Sequence, residues 1–176
     1  MKARAINPRP RPLVAAASVL TILISLLIGG VGSATADEIR ASNAHCVLDV
    51  SLRDSAPQCY RTFDQAQDSA QHHSGARQPS NAAASVVLAV LYNYSNWQAS
   101  GGTLTLTGNT GCGGGGYWTN NFAGGFNDWA NSVETYNGCG IVLWEHANLA
   151  GRNTGYLTSS SDLGWANNIT SSWQIW

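Results

Sequence analysis

From Val86 onward apolar residues either alternate with polar ones or gather in short runs, and turn formers interrupt them at short intervals. Val86 to Tyr94 is apolar and aromatic, Thr103-Leu104-Thr105-Leu106-Thr107 alternates strictly, and Ser132 to Tyr136 and Ile141 to Trp144 have strand composition. Period-two patterning in β-branched and aromatic residues marks strands with one face buried. The pattern predicts an antiparallel β-sandwich with almost no helix after Asn81. Ahead of it the period changes. Cys46 and Cys59 bracket an alternating segment, Val47 to Leu52, that turns near Asp54 and Pro57, which predicts a small hairpin. Thr62-Phe63-Asp64-Gln65 then has a capping-box arrangement, with Phe63, Ala66 and Ala70 at near-helical spacing, predicting a short helix from Phe63 to Ser69. Residues 72–85, polar at first and broken by Gly75 and Pro79, read as a linker.

The strand-rich half contains an internal repeat, which defines its structural unit. The pattern NNITSS runs from Asn167 to Ser172, and a weaker copy, NDWANS, from Asn127 to Ser132. Each closes a unit led by aromatics and punctuated by glycine: Leu91 to Trp97 opens the first, Leu143 to Gly151 the second. In the second, Trp144 is followed by Leu149 and Gly151, the glycine standing where a sharp turn needs positive φ. In the first, Tyr92 and Trp97 repeat the spacing, but Ala99 and Ser100 intervene and the glycine arrives at Gly101. The first unit is also longer, and the excess falls mostly in the glycine-rich stretch from Cys112 to Gly125.

These residues give residues 86–176 a resemblance to a βγ-crystallin domain, which is two Greek-key motifs packed as a sandwich. The resemblance rests on the paired aromatic-glycine corners and the closing N/D-N/D-x-x-S/T-S loops. Asn167 to Ser172 meets that loop pattern in full; the earlier copy departs at its fifth position, where Asn131 replaces Ser or Thr. It implies a mainly β fold, preceded by the disulfide-stapled hairpin and short helix in residues 37–71. It further implies calcium, held at two sites shared between the motifs. Carried over, one site uses Asn168, the Ile169 carbonyl and Ser171 with the Asn93 carbonyl. The other uses Asp128, the Trp129 carbonyl and Asn131 with the Glu145 carbonyl. A hard cation takes six to eight oxygens, and these loops supply oxygen almost exclusively. Asp128 is the sole carboxylate in either loop, so weak binding is expected. The competing reading is that Asn, Asp and Ser hold tight turns through their own backbone contacts, without a metal.

Charge and cysteines set the compartment. Residues 1–36 combine Lys2, Arg4, Arg9 and Arg11 with an apolar run and end in Ala34-Thr35-Ala36, the layout of a cleaved signal peptide. An uncleaved membrane anchor is the alternative. Cleavage leaves five arginines against ten acids, a net charge of −5, and between Val86 and Trp176 the sole basic residue is Arg152. Nucleic acid and anionic membranes are therefore poor partners. The four cysteines allow three connectivities. The local pairing of Cys46 with Cys59 and Cys112 with Cys139 is favoured in an oxidising compartment, and a zinc site is disfavoured by the absence of CxxC.

Catalysis finds no support: G-x-S-x-G, HExxH and phosphate-binding glycine loops are all absent, and adjacent Glu145 and His146 point to opposite faces of a strand. Trp97, Trp144 and Trp173 are expected in the core and corners. Tyr117 and Trp118, on a glycine-rich loop beside Cys112, are candidates for contact with a partner. The expected function is thus a secreted, monomeric, non-catalytic protein tightened by calcium. A protease inhibitor acting through the segment between Cys112 and Cys139, and a glycan-binding or toxin-like cell-wall module, are the alternatives.

Overall fold

A computed structural model describes residues 44–52, 55–72, 85–116, 118–122 and 124–176. The predicted signal segment, most of the linker and Tyr117 lie outside the described residues. Among the described residues ten strands and one α-helix are formed: β1 (His45–Asp49), β2 (Gln58–Tyr60), α1 (Phe63–Gln71), β3 (Val86–Tyr92), β4 (Thr103–Gly108), β5 (Trp118–Asn121), β6 (Ser132–Thr135), β7 (Ile141–His146), β8 (Ala150–Asn153), β9 (Ser159–Ser160) and β10 (Ser172–Ile175).

The strands make two sheets, ordered β2-β1-β4-β3-β6-β9 and β5-β10-β7-β8. Each sequence repeat contributes four strands. Three stay in one sheet and the third in sequence crosses to the other, so β5 joins the second motif's sheet and β9 the first's. The fold is mainly β, an interlocked pair of Greek keys, as the repeat predicts. Leu88, Leu91, Leu104, Leu106, Ile141, Leu143, Trp173 and Ile175 fill the space between the sheets. The strict alternation of β4 explains how: Leu104 and Leu106 face inward and the threonines outward.

That outward face is not solvated, contrary to what alternation alone suggests. Thr103, Thr105 and Thr107 are fully buried. The N-terminal segment covers them: β1 pairs in parallel with β4 from His45 opposite Thr103 to Asp49 opposite Thr107, and α1 packs over β1 and β4. His45 Nδ1 lies 3.1 Å from Thr103 Oγ1, and Gln67 Nε2 donates to Thr105 Oγ1 at 3.2 Å. Val47, Ala66 and Ala70 form a second small core with Tyr60 and Val87. The hairpin therefore occupies the β4 edge, which would otherwise present a row of unpaired backbone groups. Cys46 and Cys59 stand opposite each other in the hairpin and are disulfide-bonded. The helix begins as its capping residues dictate, Thr62 Oγ1 accepting from Gln65 N–H, and runs two residues past the expected end.

Candidate functional site

The two closing loops lie against each other across the pseudo-twofold, joined by reciprocal backbone bonds. Asp128 N–H donates to the Thr170 carbonyl and Asn168 N–H to the Ala130 carbonyl, each at 3.0 Å. Each loop is also fastened to the aromatic corner of its own motif. Asn131 N–H donates to the Tyr92 carbonyl, as Ser171 N–H does to the Trp144 carbonyl. Ser132 Oγ donates to the Tyr94 carbonyl and accepts from Trp97 N–H; Ser172 Oγ does the same with His146 and Leu149. In both corners two consecutive residues adopt the left-handed conformation: Asn96 and Trp97, Asn148 and Leu149. The glycine that completes each turn with positive φ is Gly151 in the second motif but Gly102 in the first, one residue beyond the position the sequence spacing suggests.

This symmetry regroups the oxygen donors. The sequence places Asn168 with Ser171, and Asp128 with Asn131; the structure exchanges the second-position residues between the loops. Asp128 and Asn168 have φ of 52° and 56°, and this left-handed turn sends each side chain across to the opposite loop. The fifth-position residue stays beside its own strand. Hence Asn168 meets Asn131, while Asp128 Oδ1 accepts from Ser171 Oγ at 3.3 Å. The first group is therefore the Asn93 and Trp129 carbonyls with Asn131 and Asn168. The second, equivalent by symmetry, is the Glu145 and Ile169 carbonyls with Ser171 and Asp128.

The two groups differ chemically. In the first, Asn131 Nδ2 lies 2.5 Å from the Asn93 carbonyl oxygen, 3.0 Å from Asn168 Oδ1 and 3.5 Å from the Trp129 carbonyl oxygen. Asn168 Nδ2 returns a bond to Asn131 Oδ1 at 2.8 Å. A carbonyl can only accept, so the atom facing Asn93 must be the amide nitrogen, and this fixes the orientation of both amides. An N–H donor thus stands among the oxygens that a cation would need, and calcium would fit this group only with the Asn131 amide turned over to present Oδ1. The second group keeps a hydroxyl and a carboxylate as its side chains. Asp128 is exposed, its Oδ2 accepts from Asn127 Nδ2 at 2.8 Å, and it forms no ion pair among the described residues. One carboxylate, one hydroxyl and two carbonyls, completed by water, fit a hard cation. The Glu145 side chain is engaged elsewhere: Arg152 bonds it through Nε and backbone N–H, both at 3.3 Å, and holds its carboxyl below the usual range.

The remaining candidates have other roles. Trp118 is half-buried and leans on the sandwich core, because β5 is annealed to β10 with Trp118 opposite Ile175. It does not project as an exposed binding residue. Cys112 and Cys139 are bonded, and the chain between them contributes β5 and β6 to both sheets, so it forms no free loop. Trp173 is fully buried and Trp144 half-buried, as expected, but Trp97 is 39% exposed, its Nε1 donating to the Val133 carbonyl. Its left-handed backbone turns it out of the core. Among the described residues no three His, Cys, Asp or Glu side chains converge on one point, and no helix is long and apolar enough to cross a membrane.

The solved structures to which this chain is similar include βγ-crystallin domains. No family model matches the chain, and no curated protein matches it. Among solved structures, a βγ-crystallin domain from Clostridium beijerinckii matches 51% of this chain and 97% of its own, at 20% identity and a TM-score of 0.40. A βγ-crystallin domain from Flavobacterium johnsoniae matches at 25% identity, covering 51% of this chain and 93% of its own, with a TM-score of 0.39. The N-terminal domain of protein S covers the same share of this chain at 19% identity and a TM-score of 0.39.

Proposed function

We propose that this is a secreted, non-catalytic βγ-crystallin-like protein stabilised by one calcium ion rather than two. The observation that carries this reading is the asymmetry of the two oxygen groups. Asn131 fills the first with its own amide, whereas Asp128 and Ser171 leave the second with oxygen donors only. The first group is then a permanent cross-link between the motifs, and the second is one that forms when calcium is present. Calcium supplies charge that draws the Asp128 carboxylate, the Ser171 hydroxyl and the Glu145 and Ile169 carbonyls together. A single carboxylate implies weak binding, with a dissociation constant on the order of 0.1 to 1 mM, the range of extracellular calcium modules. The two disulfides support an oxidising, extracellular setting.

The asymmetry is testable by stoichiometry. Calorimetric titration should give one calcium per chain for the parent. Asn131→Ser, which restores the loop pattern and removes the amide from the seat, should give two. A parent that binds two ions, or a variant in which the count stays at one, would refute the assignment of Asn131 as a resident substitute for the cation.

A further inference from the structure

Between α1 and the outer face of the first sheet lies a cavity of about 590 Å³ that sequence reasoning does not anticipate. Phe63, Gln67 and Gln71, spaced four apart along one stripe of α1, form one wall; Tyr92 on β3, with Glu134 and Tyr136, two apart and so on one face, form the other. The N-terminal segment and the sandwich thus build the cavity together. Its volume falls in the range of small-molecule sites.

The polar groups in it point to one kind of ligand. Tyr92 Oη and Tyr136 Oη both donate to Glu134 Oε2, each at 3.0 Å. Burial first, then the bond to Glu134, pushes both phenols above their usual range, so their protons stay in place. With those protons committed, the hydroxyls offer only lone pairs to the cavity. Glu134 Oε1 takes no hydrogen bond from a described residue, and Glu134 makes no ion pair among them. Among the described residues the lining contains no lysine, arginine or histidine. Gln67 and Asn137 each turn an amide N–H away, onto Thr105 Oγ1 and the Val87 carbonyl. Ser85 Oγ, also in the lining, is buried without a partner. Among the described residues the result is a half-buried carboxylate with no cationic partner, set beside two hydroxyl acceptors and three aromatic rings. A partly buried charge is favourable only when paired, and aromatic faces attract cations.

We infer that the cavity between α1 and β6 binds a small molecule through a primary ammonium group, whose N–H donors meet Glu134 Oε1 and the two tyrosine hydroxyls while its alkyl stem lies against Phe63. The N–H requirement separates this from a cage that recognises charge alone, and the charge requirement separates it from a sugar site.

The test is a titration of the isotopically labelled protein with n-butylammonium, tetramethylammonium and N-acetylglucosamine, followed by amide NMR. Butylammonium should shift resonances at Phe63, Gln67, Glu134 and Tyr136 and bind at least about tenfold more tightly than tetramethylammonium, because charge-assisted hydrogen bonds are among the stronger ones. Glu134→Gln, nearly isosteric, should weaken butylammonium by about tenfold or more with the thermal midpoint as a check on folding. Should that variant not fold, Gln71→Lys, which sets a positive charge on the exposed rim, should weaken it in the same direction. Absence of butylammonium binding, shifts confined to another surface, tetramethylammonium binding as well or better, preference for the neutral sugar, or indifference to the variants would each overturn the assignment.

Discussion

Trp173→Ala should be the most damaging single substitution in the sandwich, lowering stability by about 3–5 kcal/mol and removing most or all of the folded population at 37 °C. The indole is fully buried in β10, the strand that joins β5 to β7 and therefore ties the first motif to the second. Truncation leaves a cavity between the sheets, where close-packed neighbours relax only in part. Its indole N–H is buried with no partner, so Trp173→Phe deletes an unsatisfied donor while keeping an aromatic ring. Phe should accordingly cost much less than Ala. Urea unfolding of both variants beside the parent checks this; equal losses would mean that β10 is not the keystone of the fold.

Replacing Cys46 and Cys59 together by serine should lower stability by about 3 kcal/mol, the entropic worth of closing a loop of this length. The bond spans 13 residues and fixes the hairpin whose β1 strand covers β4. Loss of the cross-link acts on more than stability. With β1 and α1 loosened, the threonine face of β4 gains access to water, and hydrogen exchange at Thr103, Thr105 and Thr107 should rise ahead of exchange in β7 and β10. The Cys112–Cys139 bond, which spans 27 residues inside the sandwich, should not produce this selective exposure when removed. Uniform acceleration of exchange in both variants would count against a distinct N-terminal unit of local unfolding.

The features legible in the sequence are those whose causes are local. Alternation in Thr103 to Thr107, the capping residues around Thr62 and the repeated loop motif each encode a strand, a helix start and a turn within a few residues. Such signals survive folding because neighbouring residues enforce them. What the sequence concealed depends on distant partners. Parallel pairing of β1 with β4 joins residues 58 positions apart at His45 and Thr103, and nothing in the threonine face announces that a helix will cover it. The division of oxygen donors depends on backbone conformation at Asp128 and Asn168, which turns both side chains into the opposite loop. The replacement at Asn131 was visible as a departure from pattern. Its consequence, an amide nitrogen standing where a cation would be held, required the positions of Asn93 and Asn168. Likewise Tyr92 and Phe63 are marked in the sequence only as corner and helix residues, Glu134 carries no motif, and only the docking of α1 makes them neighbours.

Taken together, the loops describe one motif-to-motif latch that is always closed and another that calcium closes. The most direct measurement is thermal unfolding of the oxidised protein in about 10 mM calcium and in chelator, for the parent and for Ser171→Arg. A ligand bound only by the native state at ten to a hundred times its dissociation constant stabilises by about 1.4–2.7 kcal/mol, which corresponds to several degrees in midpoint. That rise is expected in the parent and its loss in Ser171→Arg, whose guanidinium would occupy the second seat as the Asn131 amide occupies the first. A midpoint unmoved by calcium in the parent, or a rise that persists undiminished in the variant, would contradict the calcium-closed latch.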